Sequence, residues 1–203
     1  MNFLAHLVLS PPEKEIILGN FIADAVKGST INTFSSCIQE GIQLHRKIDT
    51  YTDQHHAHRH SRIILQPRFA KFSGVITDIF FDHYLAKDWI RFSSENLETY
   101  TLRHYEIIEE YWEILPPITR KIFPFMKGDN WLLNYSSIDF LKRVFEGMSR
   151  RTRFKSEMEY ATDFLLLHYN AFEEDFNILM PDLISFCSEI AISCNSEKEG
   201  LKN

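Results

Sequence analysis

Apolar residues along this chain recur at intervals of three and four, and that periodicity predicts helices almost everywhere. The segments fall near 2–9, 13–27, 34–52, 67–89, 95–114, 117–126, 137–148 and 156–193, the last interrupted at Pro181. Start signals accompany several of them: Pro67 opens the fourth, Ser136 stands three residues before Asp139 as in a capping box, and Pro116-Pro117 divides two others. The pattern predicts an all-α, single-domain bundle of about eight helices over 1–193, followed by a polar tail, 194–203, that frays.

Polar residues that continue an apolar stripe carry the chemical information. On 34–52, Ile38, Ile42, His45, Asp49 and Thr52 follow a spacing of three or four, so His45 and Asp49 extend the buried face. On 13–27, Ile17, Phe21 and Asp24 do the same, with Asn20 one turn before Asp24. The stretch "GVITDIFFDHYLAKDW", 74–89, is apolar nearly all round, yet carries Asp78 and Asp82 one turn apart, in line with Val75, Leu85 and Trp89. Burying a carboxylate costs on the order of several kcal/mol unless it is paired or bound to a cation, so these acids require a partner.

Arg46, Arg59, Arg62 and Arg68 are near in sequence, and one arginine could take one carboxylate bidentately. It could not absorb Asp24, Asp49, Asp78 and Asp82 together with His45. A divalent cation could, because hard carboxylate oxygens and imidazole suit Mn²⁺, Mg²⁺ or Fe²⁺, as one ion or two. With no cysteine in the set, structural zinc is disfavoured.

Other polar clusters read as ordinary surface. Phe164, Leu167, Ala171, Phe172 and Phe176 form a core-facing stripe, with His168 beside it and Glu173, Glu174 and Asp175 on the solvated face. His55, His56, His58 and His60 alternate with Ala57 and Arg59, which reads as an exposed loop with only His55 in a motif.

Composition narrows the class. At 203 residues and 24.0 kDa, 44% hydrophobic, with only 7 Gly and 7 Pro, the chain can bury one core and is built for helices. A net charge of −6 opposes general nucleic-acid binding. Cys37, Cys187 and Cys194 show no metal-like spacing and no signal segment is evident, so a reduced, cytoplasmic protein is expected. No apolar run approaches the ~20 residues that span a bilayer, so no membrane partner is expected.

The blocks "MNFLAHLVLS", "LGNFIADAVKG", "GIQLHRKIDTYTDQH" and "GVITDIFFDHYLAKDW", in this order and with the late "FEEDFNILMPDL", resemble the bacterial acyl carrier protein phosphodiesterase family over essentially the whole chain. The resemblance implies an all-helical, HD-domain-like fold and a Mn²⁺-dependent hydrolase. Such an enzyme removes 4′-phosphopantetheine from the serine of holo-acyl carrier protein. It also implies that His6, Asp24, His45, Asp49, Asp53, Asp78, Asp82 and His83 are the polar motif residues. Two departures are visible. His56 stands where the family usually has proline, and Asp82-His83 reverses the His-Asp order of the wider superfamily, so ligand roles cannot be copied from ordinary HD domains.

The expected chemistry follows. Asp24, His45, Asp78 and either Asp82 or Asp49 hold the metal, which would acidify a bound water and neutralise phosphoryl charge. His83 or His55 positions or protonates, or else His83 merely orients Asp82 from behind; His6 and Asn20 support the site. Because acyl carrier proteins are strongly acidic and this chain is too, docking requires a local basic face, either Arg150, Arg151 and Arg153 or Arg62, Arg68 and Lys71. Two alternatives stay open: a phosphohydrolase of the same fold acting on a nucleotide or other small phosphodiester, and a non-catalytic helical binding module in which arginines pair with the acids.

Overall fold

The computed structural model describes the backbone of residues 1–200 and the side chains of residues 1–190. Among the described residues the chain is helical with no strand. Eleven helices follow in order: α1 (Phe3–Val8), α2 (Lys14–Ile22), α3 (Ser36–Gln54), α4 (His56–Phe69), α5 (Ser73–Lys87), α6 (Leu97–Glu110), α7 (Pro117–Gly128), α8 (Trp131–Asn134), α9 (Ile138–Arg151), α10 (Ala161–Leu167) and α11 (Tyr169–Gly200). The tail expected to fray, 194–203, lies outside the residues whose side chains are described. No helix among the described residues is long and apolar enough to cross a membrane.

α5 is the central post. Ile76, Ile79, Phe80, Phe81, Tyr84 and Leu85 are all buried, so the helix that is apolar nearly all round is enclosed nearly all round. Phe80 packs edge-on against Phe145 of α9 and Phe172 of α11, and Phe81 against Phe176 of α11. Each such ring contributes roughly 1.5–3 kcal/mol by its removal from water. Val75, placed in the same stripe, is instead partly exposed at the start of the helix.

Capping residues fix the helix starts. Ser35 accepts from the Ile38 amide to open α3, and Asn96 accepts from the Glu98 amide to open α6. Ser137, one residue after the serine expected from the capping box, accepts from the Phe140 amide and opens α9. The largest correction is α4. The histidine run is a helix, begun by His55, whose Nδ1 accepts from the Ala57 amide. His56 therefore occupies the first helical position, where proline is favoured. Pro67 lies inside the end of this helix rather than opening the next.

Two further expectations change. α11 runs through Pro181 without a break, because Leu179, Met180 and Leu183 on either side are fully buried and hold the turn against the missing N–H. Leu167, assigned to the core stripe, is 74% exposed where α10 ends, whereas Phe172 and Phe176 are buried as expected.

Candidate metal centre

α2 and α3 touch backbone to backbone at Gly19 and Gly41, and this contact sets Asn20 against His45. His45 Nδ1 donates to the Asn20 carbonyl oxygen at 2.8 Å and lies 3.1 Å from its Oδ1. Because a carbonyl only accepts, Nδ1 carries the proton and Nε2 is left to face the site. Asn20 is fixed in turn, its amide donating to the His6 carbonyl oxygen and to Ser10 Oγ.

His6 from α1 stacks on His45, ring centroids 3.8 Å apart and planes 11° from parallel. One carboxylate spans both imidazoles: Asp49 Oδ1 is 3.2 Å from His6 Nε2, and Oδ2 is 3.1 Å from His45 Nε2. His6, His45 and Asp49 thus each present one ligand atom, all within 4.8 Å of one another. Burial lowers His6 to about 4, so its ring is neutral, and neither of its buried nitrogens has a well-formed hydrogen bond. A neutral imidazole beside a second imidazole and a carboxylate is a donor set that fits a divalent cation. For His45, burial opposes protonation, but hydrogen bonds and charge from Asp24 and Asp49 outweigh it and raise the ring to about 9, so a cation bound at Nε2 would displace a proton there. Asp49 is held well below the usual carboxylate range: burial opposes this, but His45, His6 and the Met1 ammonium prevail.

The Met1 α-ammonium is buried beside these groups, 3.4 Å from Asp49 and 3.2 Å from Asp78. Asp78 Oδ1 also meets His58 Nε2 at 3.1 Å. His58 is the residue that sequence reasoning missed. Expected on an exposed loop, it is buried because α4 is a helix that turns this position inward. The spacing of Ala57, His58, Ser61 and Leu65, all buried, carried the signal. Asp175, expected on a solvated face, is buried for the same reason: Ser61 Oγ donates to it at 2.6 Å and His60 Nδ1 lies 2.9 Å away.

Several expected site residues lie elsewhere. Asp24 is not inward: its side chain is 82% exposed on a 3₁₀ turn, Ala23–Ala25, yet one oxygen stays 3.4 Å from His45 Nε2, which lowers its carboxyl. Asp82 is fully buried with both oxygens committed to the start of α1, accepting from the Leu4 amide at 2.8 Å and the Ala5 amide at 3.1 Å. Burial lifts Asp82 to about 7 against those bonds. His83 faces the opposite way, donating from Nδ1 to the Tyr135 carbonyl oxygen and accepting at Nε2 from the Tyr169 hydroxyl, with burial lowering its ring. His55 Nε2 pairs with Asp182 at 3.1 Å, and Asp53 sits at the rim, 3.3 Å from Arg62. Among the described residues no arginine forms an ion pair with Asp24, Asp49, Asp78 or Asp82, so the arginine partners of the binding-module reading are not there.

The two basic runs meet on one face. Lys71 lies over the Phe154 ring at 4.5 Å, and Arg68 pairs with Glu157 and covers Tyr160. Arg150 is 3.9 Å from Glu146, whereas Arg151 and Arg153 make no ion pair among the described residues.

The family model described as acyl carrier protein phosphodiesterase matches residues 1–183. The chain belongs to the acyl carrier protein phosphodiesterase family. Relatives bearing that name include one from Escherichia coli O45:K1, 30% identical over 95% of this chain and 100% of its own length. Another, from Photorhabdus laumondii, is 29% identical over 87% of this chain and 89% of its own length. No solved structure matches the chain.

Proposed function

We propose that this chain hydrolyses the phosphodiester joining 4′-phosphopantetheine to the serine of holo-acyl carrier protein, releasing apo-protein, with a divalent cation, Mn²⁺ expected and Mg²⁺ or Fe²⁺ admissible, held by His6, His45 and Asp49. The observation that carries the reading is the convergence of these three donors in a chain of the phosphodiesterase family. A cation there would acidify a bound water and neutralise phosphoryl charge.

The residues around it supply orientation. Asn20 fixes the His45 tautomer, and Asp49 aligns both rings. The buried His58 and the partly exposed Asp78 form a second imidazole–carboxylate pair beside the Met1 ammonium, and this pair would hold or pass a proton. His58 takes the role first expected of His83 or His55, both of which are engaged with groups away from the centre. Asp24 and Asp53 stand at the rim. An acidic carrier protein meets the basic face of Lys71, Arg151 and Arg153, and the free thiols of Cys37 and Cys187 suit a cytoplasmic enzyme.

The test is to incubate the protein and Mn²⁺ with holo-acyl carrier protein and read the substrate mass. Loss of the phosphopantetheine mass that chelator suppresses supports the reading. Hydrolysis of small phosphodiesters with no change in the carrier protein would overturn it in favour of a small-substrate phosphohydrolase.

A further inference from the structure

A cavity of about 550 Å³ is lined by residues at the start of α1 and from α5, α8 and α9. That is the size of sites that take small organic molecules. Its walls are apolar, formed by Phe3, Ile79, Trp131, Phe140, Val144 and Met148. Set among them are Asn2, whose amide donates to the Tyr135 hydroxyl, Asn134, whose amide donates to the Asp129 carbonyl oxygen, and the side chains of Asp129, Arg143 and Arg151. Neither arginine has an ion-pair partner among the described residues; Arg143 rests over the Phe140 ring.

Gly147 of α9 is part of the cavity wall. A Cβ at Gly147 would project toward the Arg151 guanidinium at 3.7 Å and meet no backbone, so the helix tolerates a side chain here. Leaving one out keeps the volume open. Phe3 also lines a smaller cavity, about 180 Å³, whose wall includes Asp24 at the rim of the metal centre. Asn2 adjoins Met1, whose ammonium pairs with Asp49 and Asp78. The segment that carries Asn2, Phe3 and His6 thus runs from the wall of the large cavity to the centre.

We propose that this cavity seats the pantetheine arm of the substrate while its phosphate lies at the His6, His45 and Asp49 centre. The inference rests on the function proposed above. The arm is a linear, uncharged chain in which amides and a hydroxyl alternate with methyl and methylene groups, and it matches a pocket of apolar walls interrupted by asparagine amides. Arg143 and Arg151 at the edge carry charge that complements an acidic carrier protein.

The test titrates free pantetheine, which lacks the phosphate, into the whole protein by ligand-observed NMR, comparing wild type with Gly147→Leu. Saturable binding to wild type, weakened at least tenfold in Gly147→Leu with bound Mn²⁺ and melting temperature unchanged, is the expected result. KM for holo-acyl carrier protein should rise by a similar factor. Should Gly147→Leu melt early, Gly147→Ala, a single methyl in ordinary contact with the Arg151 side chain, should still weaken binding severalfold. Equal affinity in wild type and both variants overturns the inference, as does decanoate saturating the cavity where pantetheine does not. Pantetheine binding lost on Gly147→Leu in a protein that leaves holo-acyl carrier protein intact would overturn the proposed function and leave the cavity assignment standing.

Discussion

A Cβ on Gly19 would fall 2.1 Å from the Ile38 carbonyl oxygen and 2.9 Å from the Cα of Gly41, so these two glycines let α2 and α3 pack without intervening side chains. Asn20 reaches His45 only because of this approach. Gly41→Ala should cost about 1–3 kcal/mol, since the backbone it strikes cannot rotate away. At about 2–4 °C per kcal/mol the loss is visible in a thermal melt. Gly128→Ala, with nothing within 4 Å, is the neutral comparison. Equal melts for the two variants would refute the close packing.

The donor set predicts how metal is lost. His45→Ala and Asp49→Asn should each lower Mn²⁺ affinity roughly a hundredfold or more, and Asn20→Ala, which only orients His45, about 10–100-fold. Metal content after dialysis measures all three, with far-UV circular dichroism as the control for folding. Full retention of Mn²⁺ by His45→Ala would show that the centre lies elsewhere.

His58 and Asp78 form a pair 3.1 Å apart, with His58 buried. His58→Phe keeps the ring volume but leaves Asp78 without its imidazole. We expect kcat/KM on holo-acyl carrier protein to fall about 10–100-fold, as for other groups that orient a catalytic centre. His83→Phe should instead act on stability, by about 1–3 kcal/mol, through the unpaired Tyr135 carbonyl and Tyr169 hydroxyl. The reverse pattern in the two kinetic profiles would restore His83 as the acting group.

His104 gives a pH signature remote from the centre. Burial drives its ring down to about 4, against its hydrogen bond to the Tyr100 carbonyl oxygen. The unfolded chain, with histidine near 6.5, therefore binds the proton first as pH falls. Stability from this group is intact above pH about 6.5 and drains away toward pH about 4, reaching about 3 kcal/mol for the single site. Urea midpoints taken across that range should fall less steeply for His104→Phe than for wild type. Parallel slopes would contradict a neutral buried His104.

Much of this was legible in the periodicity. The enclosure of α5 followed from its apolar circumference, and the inward position of His45 followed from the stripe begun at Ile38 and Ile42, whereas Asp49, expected on the same buried face, is only half-buried. What escaped was α4, because four histidines and two arginines in His55–Arg62 give it a weakly amphipathic, polar appearance that imitates a loop. That one omission hid His58, Ser61 and the burial of Asp175, since all three depend on α4 packing against α5 and α11. The roles of Asp82 and His83 were illegible for another reason. Both are inward-facing, but only tertiary contacts reveal that Asp82 is consumed by the Leu4 and Ala5 amides and His83 by Tyr135 and Tyr169.

Asp82 closes α1 onto α5 across 78 residues of sequence. α1 is only six residues long, too short to persist alone, and it contributes His6. During synthesis, then, His6 leaves the ribosome early and waits for Asp82 before it has a fixed place. Metal capture should be a late event that reports completion of the core, and a nascent chain halted before Asp82 should emerge without it.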